Sequence, residues 1–308
     1  MALMKHRSKT KIKKYELALD WTPNVNHIGF IVAKEKGFYD NLNIHLNIQS
    51  PHTDSYQNSP AKKVELGIAD FALCPTESIL SFRAKKNPFK LFAIGTIFQE
   101  DVSAIAVDIG SSIRRPRDLD GKTYASYGAR YEDLIVKQLI KNDGGKGEIN
   151  IHYPERLGVW NTMKNNLYDS TWVFMNWEGI EHQALNFFRL KEYDIPYSYS
   201  PLIVCSEKLI NDHDVAVNSF LKATKEGFMY AMSNIIESAE ILNSYLPEID
   251  RKIDVVEALK FSKSYFGGPE VFGKINKDVL RCFFDWLKSN QIESQAIDVD
   301  EIYVKYDF

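Results

Sequence analysis

The 308-residue sequence predicts an α/β fold of two lobes. Short apolar runs of strand length alternate with segments whose apolar residues recur at helical spacing, the pattern of sheets covered by helices on both faces. The alternation occurs as two series, separated by the polar, proline-containing stretch IGSSIRRPRDLDGK (109–122). A chain of this length buries most of its apolar surface as two domains or one large one.

The first series opens with YELALD (15–20), a strand with Tyr15, Leu17 and Leu19 on one face. After a loop comes a helix in HIGFIVAKEKGFY (27–39), where Ile28, Ile31 and Val32 share a face and Gly37 marks the stop. NIHLNIQ (43–49) then alternates as a strand, which completes a βαβ unit. A helix in SPAKKVELG (59–67), a strand in DFALC (70–74), a helix in PTESILSFRAKK (75–86) with Pro75 in its first turn, and a strand in KLFAIGTIF (90–98) follow.

The second series reads strand TYAS (123–126), helix YEDLIVKQLIKNDG (131–144), strand INIHY (149–153), helix VWNTMKNN (159–166), strand TWVFM (171–175) and helix EGIEHQALNFF (178–188). Parallel pairing is expected in both series. From Asp214 the sequence carries only long helical patterns, at 214–246, 253–266 and 277–290.

Several function classes are excluded. With 38 basic against 41 acidic side chains and a net charge of -3, there is no electrostatic case for nucleic acid. Cys74, Cys205 and Cys282 are scattered, without a zinc or redox spacing, and read as small buried side chains. There is no apolar run of membrane-spanning length and neither of the glycine-rich nucleotide motifs. The start, residues 1–14, is basic but lacks the apolar core of a secretory leader. A complete sequence would thus be cytoplasmic, and an extracytoplasmic protein would have lost a leader.

In open α/β sheets ligands bind beyond the carboxyl ends of strands. The loops there are DWTPNVNH (20–27), CPTES (74–78), SYGARYED (126–133) and MNWEG (175–179). They offer Trp21, Tyr127, Tyr131 and Trp177 as flat surfaces and Asn24, Asn26, His27, Glu77, Asn176 and Glu178 as polar groups, the composition of a small-molecule cleft. Each has a plainer reading. Trp21 and Trp177 also suit core positions, although two rings from two lobes could sandwich a planar heterocycle, each contact adding about 0.5–1.5 kcal/mol beyond burial. Glu77 and Glu178 suit the first turn of a helix, and they equally suit acceptance of hydrogen bonds from ring or exocyclic amino groups. His27 suits a cap, and no nucleophile stands beside it. Gly128 and Arg130 make only a weak anion motif.

These same loops carry a resemblance. LDWTPNVNHIGFIVAKEKGFYD, DFALCPTESI, YASYGARYED, WVFMNWEGIE and YDIPYSYSPLIVCSEKLI resemble the thiamine-pyrimidine-precursor and sulfonate-type binding proteins of ABC importers, a branch that also contains the fungal thiamine-pyrimidine synthase. The similarity runs from about Tyr15 to the closing residues. It implies a type II periplasmic-binding-protein fold with a hinge and an interlobe cleft, lobe one being 15–103 with 204–308 and lobe two 104–203. The two crossings would fall near Val102–Val107 and Pro201–Cys205.

The resemblance further implies a binder of a small planar heterocycle such as a formylaminopyrimidine or hydroxymethylpyrimidine, an ABC permease as partner, and a monomer. The importer component's positions match Trp21, Asn24, His27, Glu77 and Trp177, with Tyr127 standing for a different aromatic; with Tyr131 and Glu178 of the same loops these are the expected ligand-binding residues, and no catalytic residue, metal or cofactor is expected. Glu178 stands where the importer component has a smaller residue. The synthase reading would require pyridoxal phosphate held by a lysine. Cys74 stands at that lysine's position and Ser78 at that of the sacrificial histidine, and cysteine cannot form the Schiff base.

Overall fold

The computed structural model describes residues 12–295 and 298–308, so most of the basic start lies outside the described residues. Among the described residues ten strands form two five-stranded sheets. In chain order they are β1 (Lys13–Ala18), β2 (Ile44–Gln49), β3 (Phe71–Cys74), β4 (Leu91–Thr96), β5 (Ser103–Asp108), β6 (Thr123–Ala125), β7 (Asn150–His152), β8 (Ser170–Phe174), β9 (Leu185–Phe188) and β10 (Leu202–Ser206). The first sheet runs β2-β1-β3-β10-β4 and the second β7-β6-β8-β5-β9. The second sheet thus repeats the order of the first, with β6, β7, β8, β9 and β5 in the places of β1, β2, β3, β4 and β10.

The expectation of purely parallel sheets is corrected. β1 pairs in parallel with β2 and β3, and β6 with β7 and β8. β10 is antiparallel to both β3 and β4, and β5 is antiparallel to both β8 and β9. Both reversed strands are the first that the chain lays down after passing between lobes, at 97–102 and 189–201. A chain arriving from the opposite lobe enters its sheet from the cleft end, so it runs against its neighbours. The stretches expected as crossings, Val102–Val107 and Pro201–Cys205, are chiefly these two strands.

Burial follows from the layering. Tyr15, Leu17 and Leu19 are buried as expected, but so is Ala18, because helices cover both faces of this sheet. The helix Ile28–Glu35, which follows the first cleft loop, crosses the long helix Glu207–Ser233 at a glycine contact. A Cβ on Gly29 would lie 1.9 Å from the Phe228 ring, and one on Gly227 would lie 2.0 Å from the Gly29 carbonyl oxygen. That close approach fixes the helix, and with it the loop that precedes it.

Two helical expectations change. EGIEHQALNFF is a single turn, Glu178–Glu181, followed by β9. His182 turns to an extended conformation, and Leu185–Phe188 pairs with β5, whose buried backbone needs a partner on that edge. The 214–246 pattern is the end of Glu207–Ser233 and a separate helix, Ile235–Asn243, split at the non-helical Asn234. Among the described residues no helix is long and apolar enough to cross a membrane.

Candidate functional site

Four strand-to-helix corners converge between the lobes. At the first, Asn24 caps the turn by accepting from the Asn26 N–H at 2.9 Å, while its own N–H donates to His27 Nδ1 at 3.2 Å. That bond assigns Nδ1 as acceptor, so Nε2–H donates to Asp20 Oδ1 at 2.8 Å. His27 is fully buried and does not line the cavity. It holds the Asp20 carboxylate, which does.

At the second corner Thr76 ties the start of its helix to the return crossing, its N–H and hydroxyl both donating to the Tyr199 carbonyl, at 3.2 and 3.0 Å. This places Glu77 in the first turn of Thr76–Arg83, 4% exposed. Its Oε1 accepts from the Tyr197 hydroxyl at 2.8 Å, while Oε2 is buried without a partner. Burial pushes the carboxyl up to about 7.

The third corner is folded around Glu132, which accepts from the Tyr124 hydroxyl and the N–H groups of Tyr127 and Ala129. Tyr127 thereby faces the cavity. Tyr131 turns away, and its hydroxyl meets Glu293. Arg130 also bonds Glu293, at 2.5 Å, with its guanidinium 4.8 Å from the Tyr131 ring centre. Burial pushes the Glu293 carboxyl up, but the Tyr131 hydroxyl, the Gln295 N–H and Arg130 outweigh it and hold it down to about 2. The weak anion motif is therefore spent on an interlobe ion pair.

At the fourth corner the Met175 N–H donates to the Val102 carbonyl at 3.0 Å, and Asn176 Nδ2 donates across the cleft to Asn26 Oδ1 (2.9 Å) and Ser262 Oγ (2.8 Å). Trp177 is 3% exposed and packs within the lobe-one core, with one part on the cavity wall. Glu178 Oε2 accepts from the Phe174 N–H at 2.9 Å, and burial pushes this carboxyl up to about 7 as well.

The corners enclose a cavity of about 350 Å³. Trp21 and Tyr127, both on its wall, touch edge-on, ring centres 5.7 Å apart at 84°. Of the residues singled out from the sequence, Trp21, Asn24, Asn26, Glu77, Tyr127, Gly128, Arg130, Trp177 and Glu178 line this cavity, whereas His27, Tyr131 and Asn176 stand behind it. Sequence reasoning missed Asp20, Tyr56, Trp172, Tyr197 and Arg156, which line it too. Asp20 lay in a loop already singled out. Tyr56, Trp172 and Tyr197 come from a turn, a strand interior and the return crossing, where no local signal marks a site. Arg156 bonds the Gly128 carbonyl at 3.2 Å and lies over the Tyr56 ring.

The residues present do not fit pyridoxal phosphate. No lysine is among the cavity residues, and the buried Cys74 thiol is pushed up by burial. Among the described residues that line the cavity, none supplies the amine that a Schiff base needs.

The chain is 20% identical over 239 residues to the formylaminopyrimidine-binding protein of Halalkalibacterium halodurans, covering 75% of this chain and 70% of that one. It is 25% identical over 244 residues to the 4-amino-5-hydroxymethyl-2-methylpyrimidine phosphate synthase of Legionella pneumophila, covering 76% and 74%. The solved structure of the alkanesulfonate-binding protein SsuA from Xanthomonas axonopodis pv. citri, bound to MOPS, superposes with a TM-score of 0.73 at 11% identity, over 96% of this chain and all of that one. The fold is the type II periplasmic-binding-protein fold. The NMT1/THI5-like model matches residues 24–235, more than half of the chain, and the chain belongs to that family.

Proposed function

We propose that this chain is a solute-binding protein that captures a small planar heterocycle, a thiamine pyrimidine precursor of the formylaminopyrimidine or hydroxymethylpyrimidine type, for the permease of an ABC importer. The observation that carries this reading is a cavity between two lobes where aromatic rings, Trp21 and Tyr127, stand with a buried carboxylate that has an oxygen free. Its volume is near the lower end of the range for small-molecule sites, roughly 300–1,000 Å³, which suits one ring and short substituents. Tyr56 and Trp172 supply further apolar wall. The relative named for formylaminopyrimidine binding supports the same ligand class.

Capture works by closure. The lobes already touch through Asn176–Asn26, Arg130–Glu293 and Lys252–Glu181, the last at 3.0 Å. A ligand that contacts both walls binds the closed form better and shifts the population toward it, and this is the change a permease would read. No cofactor takes part in this scheme, and the absence of an amine in the cavity weighs against synthase chemistry.

Thermal-shift and calorimetric titration test the reading. Formylaminopyrimidine or 4-amino-5-hydroxymethyl-2-methylpyrimidine should stabilise the protein by about 2.7 kcal/mol at a hundredfold excess over Kd. Stabilisation by alkanesulfonates or flavins with none by these pyrimidines would sink it. An absorbance band from a pyridoxal-phosphate Schiff base after mixing would favour the enzyme instead.

A further inference from the structure

Glu77 and Glu178 line the same cavity, yet only one has a buried oxygen left without a donor. Glu178 Oε2 is engaged by the Phe174 N–H of its own turn, and Glu132 is consumed by three donors of its loop. Glu77 receives one bond, from Tyr197, and its Oε2 remains buried and unpartnered. No salt bridge reaches it among the described residues. The titratable groups that face it are Cys74 at the end of β3, Tyr197 on the return crossing, Glu132 at the start of the helix Glu132–Asn142 and Asp101 on the outward crossing. None of these brings a positive charge.

A carboxylate so placed lacks a proton donor, and the ligand edge that fits it must deliver one. Resting on the function proposed above, we propose that Glu77 Oε2 binds the ring nitrogen of an aminopyrimidine-type ligand through a shared proton, so that the complex holds one proton more than the carboxylate and neutral ligand apart. That proton comes from solvent, and no bond in the ligand breaks. The arrangement selects rings with a basic nitrogen at the Glu77 end of the cavity, whereas the cations on its wall are Arg130 and Arg156, the latter bonded to the Gly128 carbonyl. Arg130, the cation nearest in sequence to the phosphate-like motif, is already committed to Glu293. The upward displacement of Glu77 by burial agrees with this reading and puts the change near neutral pH.

The test is calorimetry of the whole chain with 4-amino-5-hydroxymethyl-2-methylpyrimidine, in pairs of buffers with different heats of ionisation. At about pH 8.5 binding should take up roughly one proton per ligand, and affinity should fall about tenfold per pH unit above neutrality. Glu77→Gln should remove both the uptake and the slope. If that variant fails to fold, the wild-type buffer pairs decide the matter alone. Binding with no proton uptake and an affinity flat between about pH 7.5 and pH 9 would overturn this inference while leaving the proposed function intact. Absence of binding at every pH would overturn both.

Discussion

At the end of β3 the chain turns through Pro75 into the helix that carries Glu77. At the end of β8 it turns through Asn176 into the short helix that carries Glu178. The two strands hold matching places in sheets of the same order, and both carboxyls are buried and pushed up to about 7. They are nevertheless employed differently. Glu178 closes its own turn by accepting from Phe174, and its neighbour Trp177 is sunk in the core of the opposite lobe. Glu77 is held by a tyrosine from a distant segment and keeps an oxygen for something else. Equivalent backbone positions thus supply equivalent burial, while the donors nearby decide whether a buried acid serves the fold or a ligand. One corner is mostly anchor and the other mostly recognition.

The largest expected effect concerns the anchor. Trp177→Ala removes a buried ring from the lobe-one core and should cost about 3–5 kcal/mol in denaturant unfolding. Trp21→Ala, at a partly exposed wall position, should cost less than about 1 kcal/mol while weakening the ligand. Equal losses from the two would show that the corners are not divided in this way.

A second prediction uses pH. A carboxyl raised from 4.5 to about 7 in the folded state makes the protein most stable below pH 4.5 and progressively less stable up to about 7. Replacing either acid by glutamine removes that loss. Glu77→Gln and Glu178→Gln should each raise stability at pH 8 relative to pH 4 by up to roughly 3 kcal/mol, read from thermal melts at the two pH values. A gain from only one would show that the burial of the two corners is unequal.

A third separates binding from folding. Glu77→Leu should weaken an aminopyrimidine by about 10- to 100-fold, the equivalent of about 1.5–3 kcal/mol, and lower stability by about 1 kcal/mol because the Tyr197 hydroxyl loses its acceptor. Glu178→Leu leaves the Phe174 N–H without its acceptor and should lower stability by about 1 kcal/mol. Titration calorimetry beside melts of the same samples reads both.

The smallest effect tests the contact that closes the lobes away from these corners. Arg130→Ala should cost about 1 kcal/mol or less, because the guanidinium is 30% exposed, and should shift the ligand-free ensemble toward open forms in small-angle scattering. With the Glu293 carboxyl held at about 2, its contribution is fully present above pH 4.5 and fades only as pH falls through about 2. Scattering that is unchanged in this variant would remove the pair from the closure mechanism.

Much of this molecule is legible along the chain. Apolar period marks seven of the ten described strands and most of the helices, and the strand-end rule points to all four cleft loops, because both signals are local: they depend on residues a few positions apart. The same reasoning places Trp21, Asn24, Glu77, Tyr127, Trp177 and Glu178 at the cavity. It misjudges His27 and Tyr131, whose side chains turn toward Asp20 and Glu293. It also overlooks Tyr197, whose hydroxyl reaches Glu77 across 120 positions.

Composition and period therefore determine a two-lobed α/β chain and the loops from which a site can be made. Three things are decided only in the assembled fold. They are the reversed direction of β5 and β10, the conversion of Leu185–Phe188 from helix to edge strand, and the division of labour between Glu77 and Glu178. Each depends on a hydrogen-bonding partner brought from far along the chain. Whether a buried polar group is satisfied is a property of what is packed against it, and no local pattern records that.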